Sequence, residues 1–385
     1  MLAVVKRLSR EWQGLKAFNA VPRSERKIVF YAENGGYWSY FEPVFIALQR
    51  ECFEPILYVT SCEQDPLLTE APEGFLTFYI GQGSMRTLFF AGLDADVLVM
   101  TMPDLQTFHI KRSHHSVRYV YLHHSLVSTH MVYRPAAFDH FDVILCVGPH
   151  HEQEIRNREA LQGLPHKELV QHGYGRLDSI LTEGVQGPIS RDGSEPINVV
   201  VAPTWGEQGL LERHGHELIK VLLSAGFGVT VRPHPRTIKL KSDVIHDLVG
   251  VFGLHDLFVF DDQPNARASL LQADIMISDW SGAALEFAMG LERPVLFIDV
   301  PRKILNSEYQ SLNCEPLELS IREEVGVILK PEELHKSPVV LRDMFNNRAS
   351  WQDASRNARK RWVFNEGNSG RVAAHFLTTL TTKTK

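Results

Sequence analysis

The sequence predicts an α/β protein made of two doubly wound domains that face a central cleft. Its 385 residues exceed what one ordinary hydrophobic core holds. Short apolar runs rich in β-branched and aromatic residues alternate with helical stretches, which is the pattern of parallel strands buried on both faces. A stretch rich in Gly, Ser and Asp at residues 183–196 divides these runs into two series, and we interpret it as a linker.

The first series predicts a domain over residues 27–182, which follows an amphipathic segment at residues 1–26. One helix is expected from about Tyr40 to Arg50 and another from Met85. The predicted strands are Lys27–Ala32, Pro55–Thr60, Phe75–Ile80, Asp96–Thr101, Arg118–His124 and Asp142–Gly148.

The second series predicts a nucleotide-binding domain over residues 197–350, with helices at residues 214–226 and 282–290. Because ligands of open α/β sheets bind at the carboxyl ends of the strands, we expect the binding site in the loops that follow these strands. Residues 351–385 are predicted to be helical, with a break at residues 366–370. The predicted strands are Asn198–Thr204, Phe227–Val231, Leu257–Asp262, Ala273–Asp279 and Pro294–Asp299.

The composition excludes several classes of protein. Hydrophobic residues make up 44% and charged residues 22% of the chain, as in globular proteins. A net charge of −6 argues against a nucleic-acid partner, which would require a basic face. The four cysteines form no CxxC pair, so we expect no disulfide framework, no zinc site and a cytoplasmic location.

The N-terminal segment is expected to form a basic amphipathic helix. Such a helix could lie on an anionic membrane surface, placing the protein peripherally on the inner face of the cytoplasmic membrane. The alternative is that it packs on its own domain or on a second subunit. The apolar positions at helical spacing are Leu2, Val5, Leu8, Trp12, Leu15 and Phe18, and the basic ones among them are Lys6, Arg7, Arg10 and Lys16.

Two sequence features indicate phosphate binding. At SDWSG a predicted strand ends at Asp279, and Ser281 and Gly282 open the next helix, where free N–H groups and the helix dipole favour an anion. Glu286, one turn later, could hydrogen-bond ribose hydroxyls, although an N-capped helix without ligand is the alternative. The second feature is the RPHP loop at Arg232–Pro235.

In the RPHP loop, Arg232, His234 and Arg236 follow a strand, and two prolines fix the backbone between them. A histidine flanked by arginines in a rigid loop suits a phosphate clamp better than a core position. Thr204 and Trp205, after the preceding strand, are expected to shape the nucleotide pocket, and Asp279 to orient its turn. Together these features indicate a phosphorylated ligand.

A third loop, NGGYWSY, follows the first strand. It lacks the full GxGxxG pattern, so Gly35 and Gly36 are weak evidence of phosphate binding. We expect this loop to line the acceptor side of the cleft, with Tyr37 and Trp38 stacking on a sugar.

In their order, APT (Ala202–Thr204), RPHP (Arg232–Pro235), ADIMISDWSG (Ala273–Gly282) and ERPVLFID (Glu292–Asp299) resemble the CDP-glycerol glycerophosphotransferases, the teichoic-acid primases and polymerases. GYGRLD, which contains Arg176, and NEGNSGR, which contains Ser369 and Arg371, resemble further motifs of that family. The resemblance implies a GT-B-like fold of two Rossmann-type domains. It differs from the family pattern at His123, Ser125, Gly175 and Trp280.

The resemblance also implies roles for two histidines. His124 matches the histidine proposed as general base, and His234 matches the one that acts on the donor phosphates. The implied reaction moves glycerol phosphate or ribitol phosphate from a CDP-linked donor to a hydroxyl of a cell-surface glycan or lipid-linked acceptor, as in teichoic-acid or capsule synthesis, and releases CMP. Charge stabilisation by His234, Arg232 and the start of the Ser281 helix removes the need for a metal or other cofactor.

His123 is assigned a structural role, and His114, His115, His150 and His151 are interpreted as surface or loop residues. Ser369 and Arg371 reach the cleft if the last helix crosses back to the first domain; a surface turn capped by Gly370 is the alternative. Competing functions are a GT-B glycosyltransferase that uses a nucleotide sugar, a nucleotide-sugar epimerase, and a noncatalytic subunit of a polymer-assembly complex. Oligomerisation is compatible with each of them.

Overall fold

The computed structural model describes residues 2–51, 55–107, 110–184, 195–263 and 268–382, and it contains two parallel sheets. The strands of the first sheet are β1 (Ile28–Ala32), β2 (Ile56–Thr60), β3 (Phe75–Tyr79), β4 (Val97–Met100), β5 (Arg118–Leu122), β6 (Val143–Cys146) and β7 (Glu168–Gln171). Those of the second sheet are β8 (Asn198–Val201), β9 (Gly228–Val231), β10 (Phe258–Phe260), β11 (Ile275–Ser278), β12 (Val295–Ile298) and β13 (Gly326–Leu329).

Both sheets are doubly wound. The seven-stranded sheet has the order β3-β2-β1-β4-β5-β6-β7, and the six-stranded sheet has the order β10-β9-β8-β11-β12-β13. The strand order therefore reverses between β1 and β4 in the first sheet and between β8 and β11 in the second. Loops on either side of such a reversal diverge and leave a crevice at the carboxyl ends of the strands, where ligands of this architecture bind.

Helices cover both faces of each sheet. In chain order they are α1 (Leu2–Ala20), α2 (Trp38–Arg50), α3 (Ser84–Gly92), α4 (Thr129–Val132), α5 (Pro149–Gln162), α6 (Gly175–Gly184), α7 (Leu210–Ser224), α8 (Pro235–Leu240), α9 (Ser242–Phe252), α10 (Ala268–Gln272), α11 (Gly282–Leu291), α12 (Leu317–Val325), α13 (Ser337–Asn346), α14 (Arg348–Trp362) and α15 (Ser369–Thr382). Within the described ranges, no helix is long and apolar enough to cross a membrane.

Each strand predicted from an apolar run is present, with ends that differ by a few residues. The sequence analysis missed β7 and β13. β7 is an edge strand whose residues are exposed or half-buried, and it therefore lacks the continuous apolar character of a central strand. β13 is a short strand of four residues that begins with a glycine, a residue with low strand propensity. Its backbone nevertheless pairs with β12.

The C-terminal helix α15 returns to the first sheet and packs against α2. Gly370 lies inside α15, and a Cβ on it would stand 2.2 Å from the carbonyl oxygen of Pro43 in α2. Only a residue without a side chain permits this approach. Gly370 is thus a packing glycine and not the cap of a surface turn, the alternative considered from the sequence.

The N-terminal helix α1 has two apolar faces. Leu15 and Phe18 are buried, and the Phe18 ring makes edge contacts with Phe78 and Phe89. A second row of apolar side chains is turned outward: Val5, Leu8 and Trp12 are 60%, 43% and 54% exposed. The helix is therefore part of the first domain and also presents an apolar stripe on its surface.

Candidate active site

The loops that follow β8, β9, β11 and β12 meet at the carboxyl end of the second sheet. Asp279, directly after β11, is fully buried and accepts hydrogen bonds from the backbone N–H of Thr204 at 2.8 Å and from its hydroxyl at 3.0 Å. Burial raises the pKa of this carboxyl, and the bonds from Thr204 oppose that rise. Asp279 thus joins two loops, and this buried position agrees with an orienting role better than with direct nucleotide contact.

His234 is the N-cap of α8. Its Nδ1 accepts the backbone N–H of Arg236 at 3.0 Å, so the proton of the neutral ring is at Nε2. Burial lowers the pKa of His234 to about 4, and the positive charges of Lys303 and Arg236 lower it further. At neutral pH the ring is therefore neutral, and its Nε2–H is a hydrogen-bond donor.

Two cations lie over the indole ring of Trp205. The Arg236 guanidinium carbon is 4.4 Å and the Lys303 Nζ 2.9 Å from the ring centroid, distances typical of cation–π contacts. The His234 ring is also near, with its centroid 6.3 Å from that of Trp205. We call Trp205, His234, Arg236 and Lys303 the cation cluster. Lys303 was missed in the sequence because a PRK tripeptide after a strand carries no specific pattern.

Arg232 has a different environment from Arg236. Its Nη1 donates to Asp261 at 2.7 Å and to Ser269 at 3.0 Å, and its side chain is mostly buried. The same Asp261 carboxylate has a lowered pKa because hydrogen bonds and the Arg232 charge favour its ionised form against burial. The predicted phosphate contact of Arg232 therefore competes with an ion pair that the protein already provides.

Ser281 caps α11, and its hydroxyl oxygen accepts the backbone N–H of Ala283 at 3.3 Å. Gly282 then meets the first domain: a Cβ on it would stand 3.0 Å from Ser125 Oγ and 3.6 Å from Val127 Cγ1. The positive end of the α11 dipole consequently faces the segment that follows β5. This contact brings the SDWSG turn and the loop of His124 together across the cleft.

His124 lies among phenols rather than charges. The hydroxyls of Tyr121 and Tyr133 are each 3.2 Å from one of its ring nitrogens, and the ring centroid of Tyr37 is 5.3 Å away. Burial lowers the pKa of His124 to about 4, while a hydrogen bond to the backbone of Thr101 opposes this. The imidazole is therefore neutral at neutral pH and has a lone pair with which to accept a proton.

Two histidines hold the segment that follows His124, which we call the His124 loop (residues 124–128). His150 Nε2 is 2.9 Å from the carbonyl oxygen of Leu126, and His151 Nε2 is 3.0 Å from that of Val127. Both rings are buried at the start of α5, and the interpretation of His150 and His151 as surface or loop residues was wrong. Their partners lie 24 positions away in the chain, so no local pattern could reveal them.

His123 belongs to the same buried group. Its ring stacks on that of His151 with centroids 3.8 Å apart. Burial lowers its pKa well below the usual value, and the neighbouring histidines add to the effect. This position agrees with the structural role expected for His123, whereas His114 and His115 are exposed, as expected.

Glu286 joins the two domains instead of facing open space. One carboxylate oxygen accepts the Tyr174 hydroxyl at 2.6 Å, and the other accepts Nε of Arg176 at 2.8 Å. Arg176 also lies over the ring of Tyr40, at 5.5 Å. One oxygen of Glu286 is thus bonded to Tyr174 and the other to Arg176, and a ribose or acceptor contact would have to share or replace these bonds.

Of the two aromatic residues of the loop after β1 that were predicted to stack on a sugar, one faces the cleft. The Asn34 side chain accepts the backbone N–H of Gly36 at 2.8 Å, which fixes the turn containing Gly35. Tyr37 faces His124, and Arg236 is near enough to act on the pKa of its phenol, which burial raises. Trp38 instead packs on three rings of the first core, so the prediction that it stacks on a sugar was wrong. These are Phe45, Tyr58 and Phe75.

The C-terminal motif does not reach this cleft. Ser369 is fully buried, and its hydroxyl and its N–H both donate to Asp178 in α6. Arg371 lines a surface pocket with Glu51 and Glu168. Because Glu168 begins β7, this pocket lies at the amino ends of the strands, whereas His124 follows the carboxyl end of β5. The expectation that Ser369 and Arg371 contact substrate was therefore wrong, although α15 does return to the first domain.

The described residues contain no group of three or more His, Cys, Asp or Glu side chains arranged to hold a metal ion. What they bring together is a neutral histidine on one wall and a group of cations on the other. The first wall suits proton transfer, and the second suits an anion of more than one charge.

Comparison with known proteins agrees with this arrangement. The model of the family described as CDP-Glycerol:Poly(glycerophosphate) glycerophosphotransferase matches residues 82–303, more than half of the chain. The match begins at residue 82, before α3, and ends at Lys303, so it includes His124 and the whole of the cation cluster. None of the curated proteins compared matches the chain.

Solved structures are similar in fold. The UDP-GlcNAc 2-epimerase of Methanocaldococcus jannaschii, in complex with UDP-GlcNAc and UDP, is 14% identical with a TM-score of 0.57, covering 92% of this chain and 99% of its own. A glycosyltransferase of Rickettsia africae is 10% identical with a TM-score of 0.54, covering 94% and 100%. WaaG, a glycosyltransferase involved in lipopolysaccharide biosynthesis, is 14% identical with a TM-score of 0.53, covering 91% and 99%. These likenesses establish the GT-B fold.

Proposed function

The chain belongs to the CDP-glycerol:poly(glycerophosphate) glycerophosphotransferase family, and we propose that it moves glycerol phosphate or ribitol phosphate from a CDP-linked donor to an acceptor hydroxyl, releasing CMP. The observation that carries the proposal is the pairing of His124 with the cation cluster across the Gly282 contact. One wall offers a proton acceptor, and the other offers charge for a diphosphate.

On the donor side, the diphosphate binds to His234 and Arg236 and to the start of α11. The Nε2–H of His234 donates to a phosphate oxygen, because Nδ1 is occupied by the Arg236 N–H. Ser281 and Gly282 contribute the free N–H groups and the dipole of a ten-residue helix. Thr204 and Trp205 shape the adjoining nucleotide pocket, and Asp279 holds Thr204 in place.

On the acceptor side, His124 takes the proton of the attacking hydroxyl. The acceptor oxygen forms a bond to the phosphorus that carries the alditol, and the bond from that phosphorus to the bridging oxygen breaks. CMP leaves with the electron pair, and the cation cluster stabilises its growing negative charge. The acceptor is a glycan or lipid-linked molecule, and no metal or other cofactor is required for these steps.

A nucleotide-sugar glycosyltransferase is the second candidate, favoured by the fold shared with glycosyltransferases. The products separate the two reactions: the phospho-alditol transferase releases CMP, whereas a glycosyltransferase of this type releases a nucleoside diphosphate. Purified protein is incubated with CDP-glycerol, CDP-ribitol or UDP- and CDP-sugars and with lipid-linked glycan acceptors, and the nucleotides are separated by chromatography. CMP is expected, formed only with an acceptor; formation of a nucleoside diphosphate would favour the glycosyltransferase.

Two further outcomes bear on the remaining alternatives. A free C2 epimer of the sugar donor would identify an epimerase, for which the site offers no evident pair of acid and base carboxylates. Failure to bind any cytidine nucleotide would contradict the family-based donor and favour a noncatalytic subunit. Binding is measured by calorimetry on the same preparation.

The exposed stripe of α1 supports a peripheral position on the inner leaflet of the cytoplasmic membrane. Val5, Leu8 and Trp12 point outward, and Lys6 and Lys16 are exposed on the same helix. Because Leu15 and Phe18 belong to the core, deleting α1 would confound binding with folding. The test is therefore the triple variant Val5→Ser, Leu8→Ser, Trp12→Ser in flotation with phosphatidylglycerol vesicles.

The matched control for that triple variant replaces exposed apolar residues of the second domain, Val251→Ser, Leu254→Ser and Val339→Ser. We expect the α1 variant to lose vesicle binding and the control to keep it. Equal binding by both variants would contradict a membrane role for the stripe and favour packing against a second subunit, which sedimentation would detect.

A further inference from the structure

The loop after β12 carries Lys303, a member of the cation cluster that no sequence motif assigned to the site. Trp280 anchors this loop, because its Nε1–H donates to the carbonyl oxygen of Val300 at 2.8 Å. Three residues further on, Lys303 extends over Trp205, with Nζ 2.9 Å from the ring centroid and 3.4 Å from the Trp205 carbonyl oxygen. The ammonium group is thus held at the cleft and does not move freely in solvent.

The charge around Lys303 is unbalanced. Arg236 lies over the same indole, 4.4 Å from its centroid. In the described part of the chain, neither Lys303 nor Arg236 has a carboxylate within ion-pair distance. Burial and the charge of Arg236 lower the pKa of Lys303 to about 8, against weaker opposite effects of Asp279 and Glu212. Two cations held together without a counter-ion form a site that an anion stabilises.

We propose that Lys303 contacts the diphosphate of the donor, and that Trp205 is the platform that holds Lys303 and Arg236 at the spacing the two phosphates require. This inference rests on the proposed function only in that a diphosphate occupies the cation cluster. Lys303 supplies a compact point charge, whereas Arg236 supplies a planar fork of donors. His234 adds a neutral donor near the same indole, since burial, together with both cations, keeps its ring from taking a second proton.

One aromatic residue, Trp205, contacts both cations. Without the indole, the repulsion between Lys303 and Arg236 would separate the side chains in the unliganded protein. The electron-rich faces of the ring attract both cations and hold them near the same indole before the ligand arrives. The ordering that a diphosphate would otherwise impose on two long side chains is thereby already in place.

The experiment measures binding of inorganic pyrophosphate and of CDP by calorimetry to the full chain. The variants are Lys303→Met, which keeps the length without the charge, and Lys303→Arg, which restores the charge. Lys239→Met in α8 is the matched control, because Lys239 is exposed and carries an equal charge near the same loop. Thermal unfolding of each variant verifies that it folds.

We expect Lys303→Met to weaken the binding of both ligands by roughly 10- to 100-fold, the range of a charge-assisted contact. Lys303→Arg should recover most of the affinity, and Lys239→Met should stay within about twofold of the wild type because screening by solvent weakens its influence. Wild-type affinity should fall as the pH rises beyond 8, where Lys303 loses its proton, while the affinity of Lys303→Met should not.

A measurement on the wild type avoids dependence on any variant. Acetic anhydride labels lysines according to their accessibility, and mass spectrometry reports each site. Pyrophosphate should protect Lys303 and leave Lys239 labelled. Unchanged labelling of Lys303, or binding by Lys303→Met within twofold of the wild type, would overturn the inference.

The outcomes also distinguish this inference from the proposed function. If pyrophosphate binding depends on Lys303 but no CDP-alditol is turned over, the phosphate contact stands and the proposed reaction fails. If CMP is released from CDP-glycerol equally well by the wild type and by Lys303→Met, the reaction stands and the role of Lys303 fails.

Discussion

The two walls of the cleft contain a histidine each, with the same lowered pKa of about 4, but for different reasons. His124 is neutral mainly because it is buried among tyrosines, whereas His234 is neutral because burial is reinforced by Lys303 and Arg236. The first environment remains nearly uncharged when a ligand arrives. The second environment contains two neighbouring positive charges, those of Lys303 and Arg236, and a bound anion would reduce their repulsion. Similar pKa values therefore indicate different functions, a proton acceptor and an anion-binding donor.

Removing the imidazole of His124 tests the first wall and should have the largest effect. His124→Ala is expected to lower kcat by about 100- to 10,000-fold, the usual contribution of general base catalysis. CDP affinity should remain within about threefold of the wild type, since the phosphates lie on the other wall. Steady-state CMP release and calorimetry measure the two quantities, and His246→Ala, at an exposed position, is the control. Full turnover by His124→Ala would remove the base assignment.

Removing the imidazole of His234, on the second wall, should instead mainly weaken CDP binding. His234→Ala is expected to weaken CDP binding by about 10-fold, because one neutral hydrogen bond to a charged phosphate is lost. It should also lower kcat where the same contact strengthens as CMP departs. His234→Gln retains a donor and should recover part of the affinity. If His234→Ala binds CDP as tightly as the wild type does, the donor wall has been misassigned.

Buried histidines support the first wall, whereas the buried carboxylate of Asp279 joins the loops of the second. His151→Leu removes a buried bond to the Val127 carbonyl and leaves the Val147 N–H without its acceptor. Each unsatisfied group costs about 1–3 kcal/mol, so the free energy of unfolding should fall by that order. Urea denaturation measures it, with His246→Ala as the unaffected reference. Unchanged stability would mean that the His124 loop is held by other contacts.

The stability of the protein in acid should follow the histidines of both walls. The histidines with a lowered pKa are His123, His124, His150, His151, His172 and His234, of which His124 and His234 are half-buried and the others buried. Their folded pKa values lie below the unfolded value of about 6.5, so the unfolded chain binds more protons in acid. The free energy of unfolding therefore falls as the pH is lowered. Each fully linked group contributes up to about 1.4 kcal/mol per pH unit.

We therefore expect these histidines to add no pH dependence to the free energy of unfolding above about pH 7, and to lower that free energy as the pH falls from about 6.5 to 4. Urea denaturation at several pH values measures the slope. The slope should be shallower in His151→Leu, which has one such group fewer. Stability that is independent of pH across this interval would contradict the lowered pKa values.

The same contrast explains what the sequence could and could not predict. Central strands such as β5 and β11 are apolar runs, and the loops at their ends carry His124 and Ser281, so the fold and much of both walls followed from local pattern. Lys303 became visible only when the loop after β12 was seen against Trp205, because a cation–π pair between distant segments has no sequence signature. His150 and His151 were misread because a polar helix start, PHHEQE, resembles a surface segment. The role of Ser369 was mispredicted because a match to a motif does not tell whether the residue contacts substrate or, as here, hydrogen-bonds to Asp178.

The difference between the walls can be measured directly by NMR of the two imidazoles, with isotope-labelled histidine and with assignment through His124→Ala and His234→Ala. The titration is recorded with and without CDP. We expect CDP to raise the pKa of His234 by about one unit or more, since the phosphates offset Lys303 and Arg236, and to change that of His124 by much less. An equal or larger shift at His124, with His234 unchanged, would contradict the assignment of the donor phosphates to the second wall.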